Sequence, residues 1–143
     1  MNHLQQQLSQ IFLRMALSVS MLSAVADRFG YWGKNSSWGN WENFEKYCRE
    51  ITSFLPQALS TIGAYTATFL EIVLSILLLI GYKIKITSTV IGILLMLFAL
   101  SMSLTLGIKS SFDYSVWIGS AAAFLLASQN HPLSYSMDKL NKK

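Results

Sequence analysis

The sequence predicts an all-α membrane protein: a four-transmembrane-helix antiparallel bundle with an amphipathic interfacial segment between its first and second crossings. Three observations predict it. The 143 residues are 52% hydrophobic and only 13% charged, whereas about 25% charged is usual for a soluble domain. The charges are scarce in four stretches, about residues 11–29, 63–82, 86–107 and 112–128, and gathered between them. Those stretches are continuous apolar runs, without the alternation of a barrel strand. In lipid the backbone must satisfy its own hydrogen bonds, so runs of this kind read as helix. The whole length amounts to a single domain.

The first stretch carries Arg14 near its start and Asp27-Arg28 at its end. It has a rival reading as a signal peptide, with Met15 to Ala26 as the apolar core and Ser23-Ala24-Val25-Ala26 as the cleavage site. Against that, Arg14 is the one firm positive charge ahead of the core. The second stretch holds one acid, Glu71, and the third holds no charge. The fourth is shortest, with its apolar part from Tyr114 to Ser128. A crossing needs about 20 residues and at least about 17, so this one has to borrow Ser110 to Asp113 or cross a thin bilayer.

The longest connection, residues 30–58, is dense in aromatics, with Tyr31, Trp32, Trp38, Trp41 and Tyr47 forming a candidate aromatic cap. Rings with a polar edge favour the headgroup zone. Phe44, Tyr47, Cys48, Ile51 and Leu55 recur with a helical beat. Two readings stand side by side: an amphipathic helix lying on the membrane, or a folded loop capping the bundle. Pro56 ends the segment. The turn at Tyr82 to Lys85 makes its two flanking helices antiparallel neighbours.

With both termini inside, the inner side holds Arg14, Lys83, Lys85, Lys139, Lys142 and Lys143, and the outer side Arg28, Lys34, Lys46, Arg49 and Lys109. The count is nearly balanced. Lys83, Lys85 and the basic tail lie close to span ends, where the positive-inside bias acts, and they favour cytoplasmic termini. No Lys/Arg run resembles a nucleic-acid stripe, and the net charge of +4 suits contact with anionic lipid.

Glu71 is the most informative residue. It lies nine positions into its stretch, about 12 Å along a helix, where a charge is expensive. It must be neutral, paired or facing water inside the bundle. As a functional group it is a ligand contact or proton relay; as a structural one it is an acid bonded to a hydroxyl, with Ser18, Ser23, Ser101 and Thr105 as possible partners. It is expected to face the interior, near Arg28 or such a hydroxyl. Arg28 either turns inward to Glu71 or marks the interface, and the interface is the favoured reading. Asp27 is expected to pair with a loop residue, and Arg14 to snorkel to the inner headgroups.

Small residues at helical spacing, such as Gly119, Ala123 and Ala127, or Ser88 and Gly92, or Ser20 and Ala24, read as close helix packing. Met96 and Met102 read as core filler rather than copper ligands. A lone cysteine, Cys48, excludes an intrachain disulfide. His3 and His131 lie near the chain ends, so no histidine stands within the membrane to ligate haem or activate a serine. No zinc site or phosphate loop is present.

Leu13-Arg14, the string Ala26-Asp27-Arg28-Phe29-Gly30-Tyr31-Trp32-Gly33 and then Trp38-Gly39-Asn40-Trp41 resemble the first span and following loop of the DoxX family of small membrane proteins. Glu71 with Leu78-Leu79-Ile80-Gly81 resembles the family's second span. Gly107-Ile108-Lys109, Asp113-Tyr114-Ser115-Val116 and Ser120-Ala121-Ala122-Ala123 are similar to its fourth. The resemblance covers about residues 11–128. It implies a multi-pass inner-membrane protein associated with membrane oxidoreductases. It implies an accessory, non-catalytic role, with no covalently bound cofactor and with quinone as the candidate ligand. Oxidoreductase subunits or further copies of the chain are the partners implied, beside the bilayer itself. The lone Cys48 excludes the disulfide-forming quinone enzymes. A structural or chaperone-like membrane protein is the alternative, and a small transporter a weaker one.

Overall fold

The computed structural model describes residues 3–129, and they form six α-helices with no strand among the described residues. They are α1 (His3–Arg28), α2 (Trp41–Ile51), α3 (Gln57–Ile80), α4 (Ile84–Thr105), α5 (Ile108–Asp113) and α6 (Val116–Ser128). His131, Lys139, Lys142 and Lys143, used above in the histidine and orientation arguments, lie outside the described residues.

Three helices, α1, α3 and α4, are long and apolar enough to cross a membrane; α6 is a shorter apolar helix. All three long helices start earlier than expected, α4 by only two residues, at Ile84 and not Ile86. α1 begins at His3 and not Ile11, because the glutamine-rich segment ahead of the apolar run continues the helix. α3 begins at Gln57 and not Gly63, directly after Pro56. Pro56 is thus the N-cap of α3, the position where proline's fixed φ is tolerated. α2 has already ended at Ile51.

The fourth stretch differs most. Ser110 to Asp113 are helical, but they belong to α5, and Ser115 breaks the chain between α5 and α6 in the left-handed region at φ 55. The break is held by side chains. Trp117 donates its indole N–H to Ser111 Oγ at 2.9 Å, and Ser111 pairs with Ser103 Oγ of α4 at 2.8 Å. The 13 residues of α6 span about 20 Å, short of the roughly 30 Å hydrocarbon core.

Helices α1, α3, α4 and α6 pack in a closed ring, each against the next and α6 back against α1. Gly81, in the left-handed conformation at φ 72, and Lys83 make the tight turn that sets α3 antiparallel to α4. The core inside the ring is built on Leu17, Met21, Leu74, Leu78, Ile84, Ile91, Ala123 and Leu126. α4 and α6 are in tight contact at Gly92, where a Cβ would lie 2.9 Å from the Phe124 ring. Ser120 Oγ donates across that contact to the Gly92 carbonyl at 2.8 Å. Small residues here bring backbones together, as their spacing predicted.

The segment between α1 and α3 folds over one end of this ring. Asn40 caps α2, accepting from the Asn43 N–H at 2.9 Å, the usual role of an N-cap side chain. Phe44, Cys48 and Ile51 are the buried face of α2. Phe44 and Cys48 meet Ala64 of α3, with Trp38 and Trp41 packed around them. The helical beat holds from Phe44 to Ile51, whose apolar face turns onto the bundle as a cap, but not to Leu55, which lies beyond the end of α2 and is exposed.

Candidate functional site

Glu71 sits on the inner face of α3 and is 3% exposed. Its partner is Arg28, the last residue of α1, and the two form a buried ion pair. Arg28 is itself 3% exposed, which corrects the favoured reading of this residue as an interface marker. The reason is energetic: two opposite charges that meet in a low-dielectric interior offset much of each other's desolvation, which neither could do alone.

Three further contacts hold the guanidinium. Arg28 Nη1 donates to Thr68 Oγ1 at 2.6 Å. Its Cζ lies 4.1 Å from the centre of the Phe44 ring and 5.9 Å from that of Trp38, so the cation rests on two aromatic faces. Of the two partners expected for Glu71, Arg28 is the one found, and the hydroxyl at this site, Thr68, binds Arg28 and donates to the Ala64 carbonyl. Thr105, one of the candidates, instead donates to the Ser101 carbonyl at 2.8 Å. Thr68 stands three residues before Glu71 on the same helix face, a neighbouring position; that spacing was the available signal.

Asp27 does pair with the loop. Its two carboxylate oxygens accept from the backbone N–H groups of Ser37 at 2.8 Å and Trp38 at 3.2 Å. This fastens the loop to the end of α1 and positions Trp38 over Arg28. The aromatic cap divides in two. Trp38, Trp41 and Tyr47 are half-buried and form ring contacts with one another and with Phe44. Tyr31 and Trp32 are exposed, and Trp32 is anchored by its indole N–H to the Ser23 carbonyl at 3.1 Å.

Arg14 also departs from expectation. It is buried, at 4% exposure, and does not reach outward. Its Nε donates to the Leu78 carbonyl at 3.1 Å and its Nη2 to the Leu79 carbonyl at 2.9 Å. These belong to the last turn of α3, whose carbonyls have no partner within the helix and favour a cation. Both arginines of α1 thus tie it to α3, one near each end of the contact.

Beneath the cap lies a cavity of about 470 Å³, bounded by α1, α4, α6 and the underside of α2. Its walls are mostly apolar, including Leu17, Met21, Leu95 and Met102, and Arg28, Glu71, Tyr47, Cys48 and Tyr114 also line it. Burial pushes the Tyr47 phenol up to about 12 and the Cys48 thiol up to about 12 as well, so both are neutral at physiological pH. An apolar cavity with a few convergent polar groups is the usual form of a small-molecule site.

Comparison with protein-family models, curated proteins and solved structures finds no match to this chain. The functional reading therefore rests on the cavity and the ion pair within it. Among the described residues no cluster of three or more His, Cys, Asp or Glu side chains is placed to hold a metal ion. Sequence reasoning identified Glu71, Arg28 and Asp27 but not the cavity, whose walls come from five separate segments. Nor did it identify Phe44 as the ring beneath the guanidinium, because its helical position already explained it as core.

Proposed function

We propose that this chain is a DoxX-like, four-span protein of the inner membrane that holds a quinone or related lipid-soluble molecule as an accessory subunit of a membrane oxidoreductase system. The observation that carries the reading is the buried Arg28–Glu71 pair lining an otherwise mostly apolar cavity. An intramembrane ion pair is costly to keep and usually marks a ligand or proton path. The long apolar wall suits a hydrocarbon tail, and the polar groups suit an oxygen-bearing head. Glu71 and Arg28 are the head contacts in this reading, and Asp27 positions Trp38 above them. Catalysis of electron transfer falls to the partner protein.

Within this reading α5 and α6 together make the fourth crossing, locally thinning the bilayer. Both termini face the cytoplasm, with Lys83 and Lys85 at the inner surface. The exposed Tyr31 and Trp32 sit at the outer headgroups. They also support the alternative, a structural or chaperone-like protein that engages a partner through its aromatic cap.

The test is purification in mild detergent, followed by mass spectrometry of the organic extract and of co-purifying proteins. A lipid-soluble quinone enriched over bulk membrane lipid, lost in Arg28→Ala and accompanied by an oxidoreductase subunit, is the expected result. Varied client proteins with no enriched small molecule would favour the alternative.

A further inference from the structure

We propose that the cavity takes an uncharged amphiphile sideways from the bilayer, through a slot between α1 and α6, and seats its oxygen-bearing head against the Arg28–Glu71 pair. This rests on the reading of the chain as a membrane protein with a lipid-soluble ligand, and adds the route and the charge class of that ligand.

The route follows from which lining residues are exposed. Ala16 and Ser20 of α1, and Tyr114, Ser115 and Ile118 at and just before the start of α6, line the cavity and are exposed. They mark its rim, and the rim lies between two helices. α1 and α6 are also the least closely packed neighbours in the ring. α2 lies over the axial end with Phe44, Cys48 and Ile51 buried beneath it. A slot bordered by apolar helix flanks opens toward acyl chains rather than water.

The charge class follows from the ion pair. Arg28 and Glu71 cancel, so their pair brings no net charge to the site. A carboxylate or phosphate head would add an uncompensated charge at a place already removed from water, whereas a neutral head adds none. The site also has donors for an acceptor oxygen. Arg28 Nε is buried with no hydrogen-bond partner in the protein. The Tyr47 phenol lines the same cavity and stays protonated across the physiological range. A carbonyl or ether oxygen meets both requirements.

Cys48 makes the test direct, because it is the chain's one cysteine and lines the cavity. The full chain in lipid nanodiscs is treated with methyl methanethiosulfonate, or with its trimethylammonium-bearing analogue. The neutral reagent should modify Cys48. The charged one should do so at least about a hundredfold more slowly, since a fixed cation enters hydrocarbon at high cost. Ser20→Trp, at the exposed rim, should slow the neutral reagent without changing its reaction with denatured protein. Labelling by the neutral reagent is then repeated with a long-chain methyl ketone, the carboxylate of equal chain length, and the alkane. The ketone should protect Cys48 best and the carboxylate least.

Equal rates for the two reagents would overturn the lateral route. Protection by the carboxylate equal to that by the ketone would overturn the charge argument, while leaving a ligand cavity in place. No protection by any amphiphile would overturn both this proposal and the reading beneath it; so would folded protein that stays unlabelled at pH 9, over times long enough for a thiol whose ionisation burial suppresses, yet reacts once denatured.

Discussion

At the scale of single residues, the partner of Glu71 decides what its substitutions do. With a hydroxyl partner, Glu71→Gln would be nearly silent. Its partner is the guanidinium of Arg28, so Gln keeps the shape and leaves a cation buried without its counter-charge. Breaking such a pair from one side typically costs about 3–5 kcal/mol. Glu71→Gln and Arg28→Ala are therefore both expected to destabilise the bundle, read as a lowered midpoint of unfolding in detergent. The double variant Arg28→Met, Glu71→Leu should be milder than either single change, because it removes both desolvation penalties together. A double variant as unstable as the sum of the singles would show that the pair is not energetically coupled. Ligand retention separates function from stability: if the proposed ligand binds at the pair, the double variant is expected to assemble but not to retain it.

At the scale of elements, the cap and the ring are held by different chemistry. α1 and α3 are joined by Arg14 and Arg28. α2 is held down by aromatic packing, and its half-buried Tyr47 and buried Cys48 are kept neutral while it is docked. Folding raises Tyr47 from 10.0 to about 12 and Cys48 from 9.0 to about 12. Between the free and folded values the undocked segment has lost a proton that the docked segment retains. Stability linked to these groups is thus fully present below pH 9, falls as pH rises from 9 toward 12, and levels above it. Alkaline titration is expected to release α2 before the ring opens. The emission of the tryptophans should shift red in that window while far-ultraviolet circular dichroism changes little. Tyr47→Phe should remove part of the pH dependence, and an unaltered profile would count against the assignment.

At the scale of the whole molecule, the ring order fixes which connections share a side. The α1 end with Arg28, α2, and the α4–α6 connection lie at one end; the α3–α4 turn lies at the other. Cysteines placed at Lys34 and Lys85 in a Cys48→Ala background should label from opposite faces of sealed vesicles. Labelling of both from one face would refute the transmembrane arrangement proposed for the ring. The short α6 bears on the same experiment. A 13-residue helix needs α5 or a thinned bilayer to complete a crossing, so Lys109, at the α5 end, should label from the same face as Lys34 but lie deeper and react more slowly.

Hydrophobicity, helical periodicity and the placing of charge are local properties, and they were legible in the chain itself. Continuous apolar runs required helices, the beat from Phe44 to Ile51 required an amphipathic one, and the isolation of Glu71 in its run required an inward face. The choice among partners was not legible. Arg28 had two outlets, and only the packing of α1 against α3 placed Thr68, Phe44 and Glu71 all within its reach. Arg14 was misread because snorkelling is the default for a lone cation near a span end, whereas the carbonyls it meets at the end of α3 lie 64 and 65 residues away in sequence. The break at Ser115 was hidden because its cause, the Ser103–Ser111–Trp117 cluster, joins separate helices. The cavity belongs to the same class: a void is a property of how five segments fail to fill space between them, and no one segment encodes it.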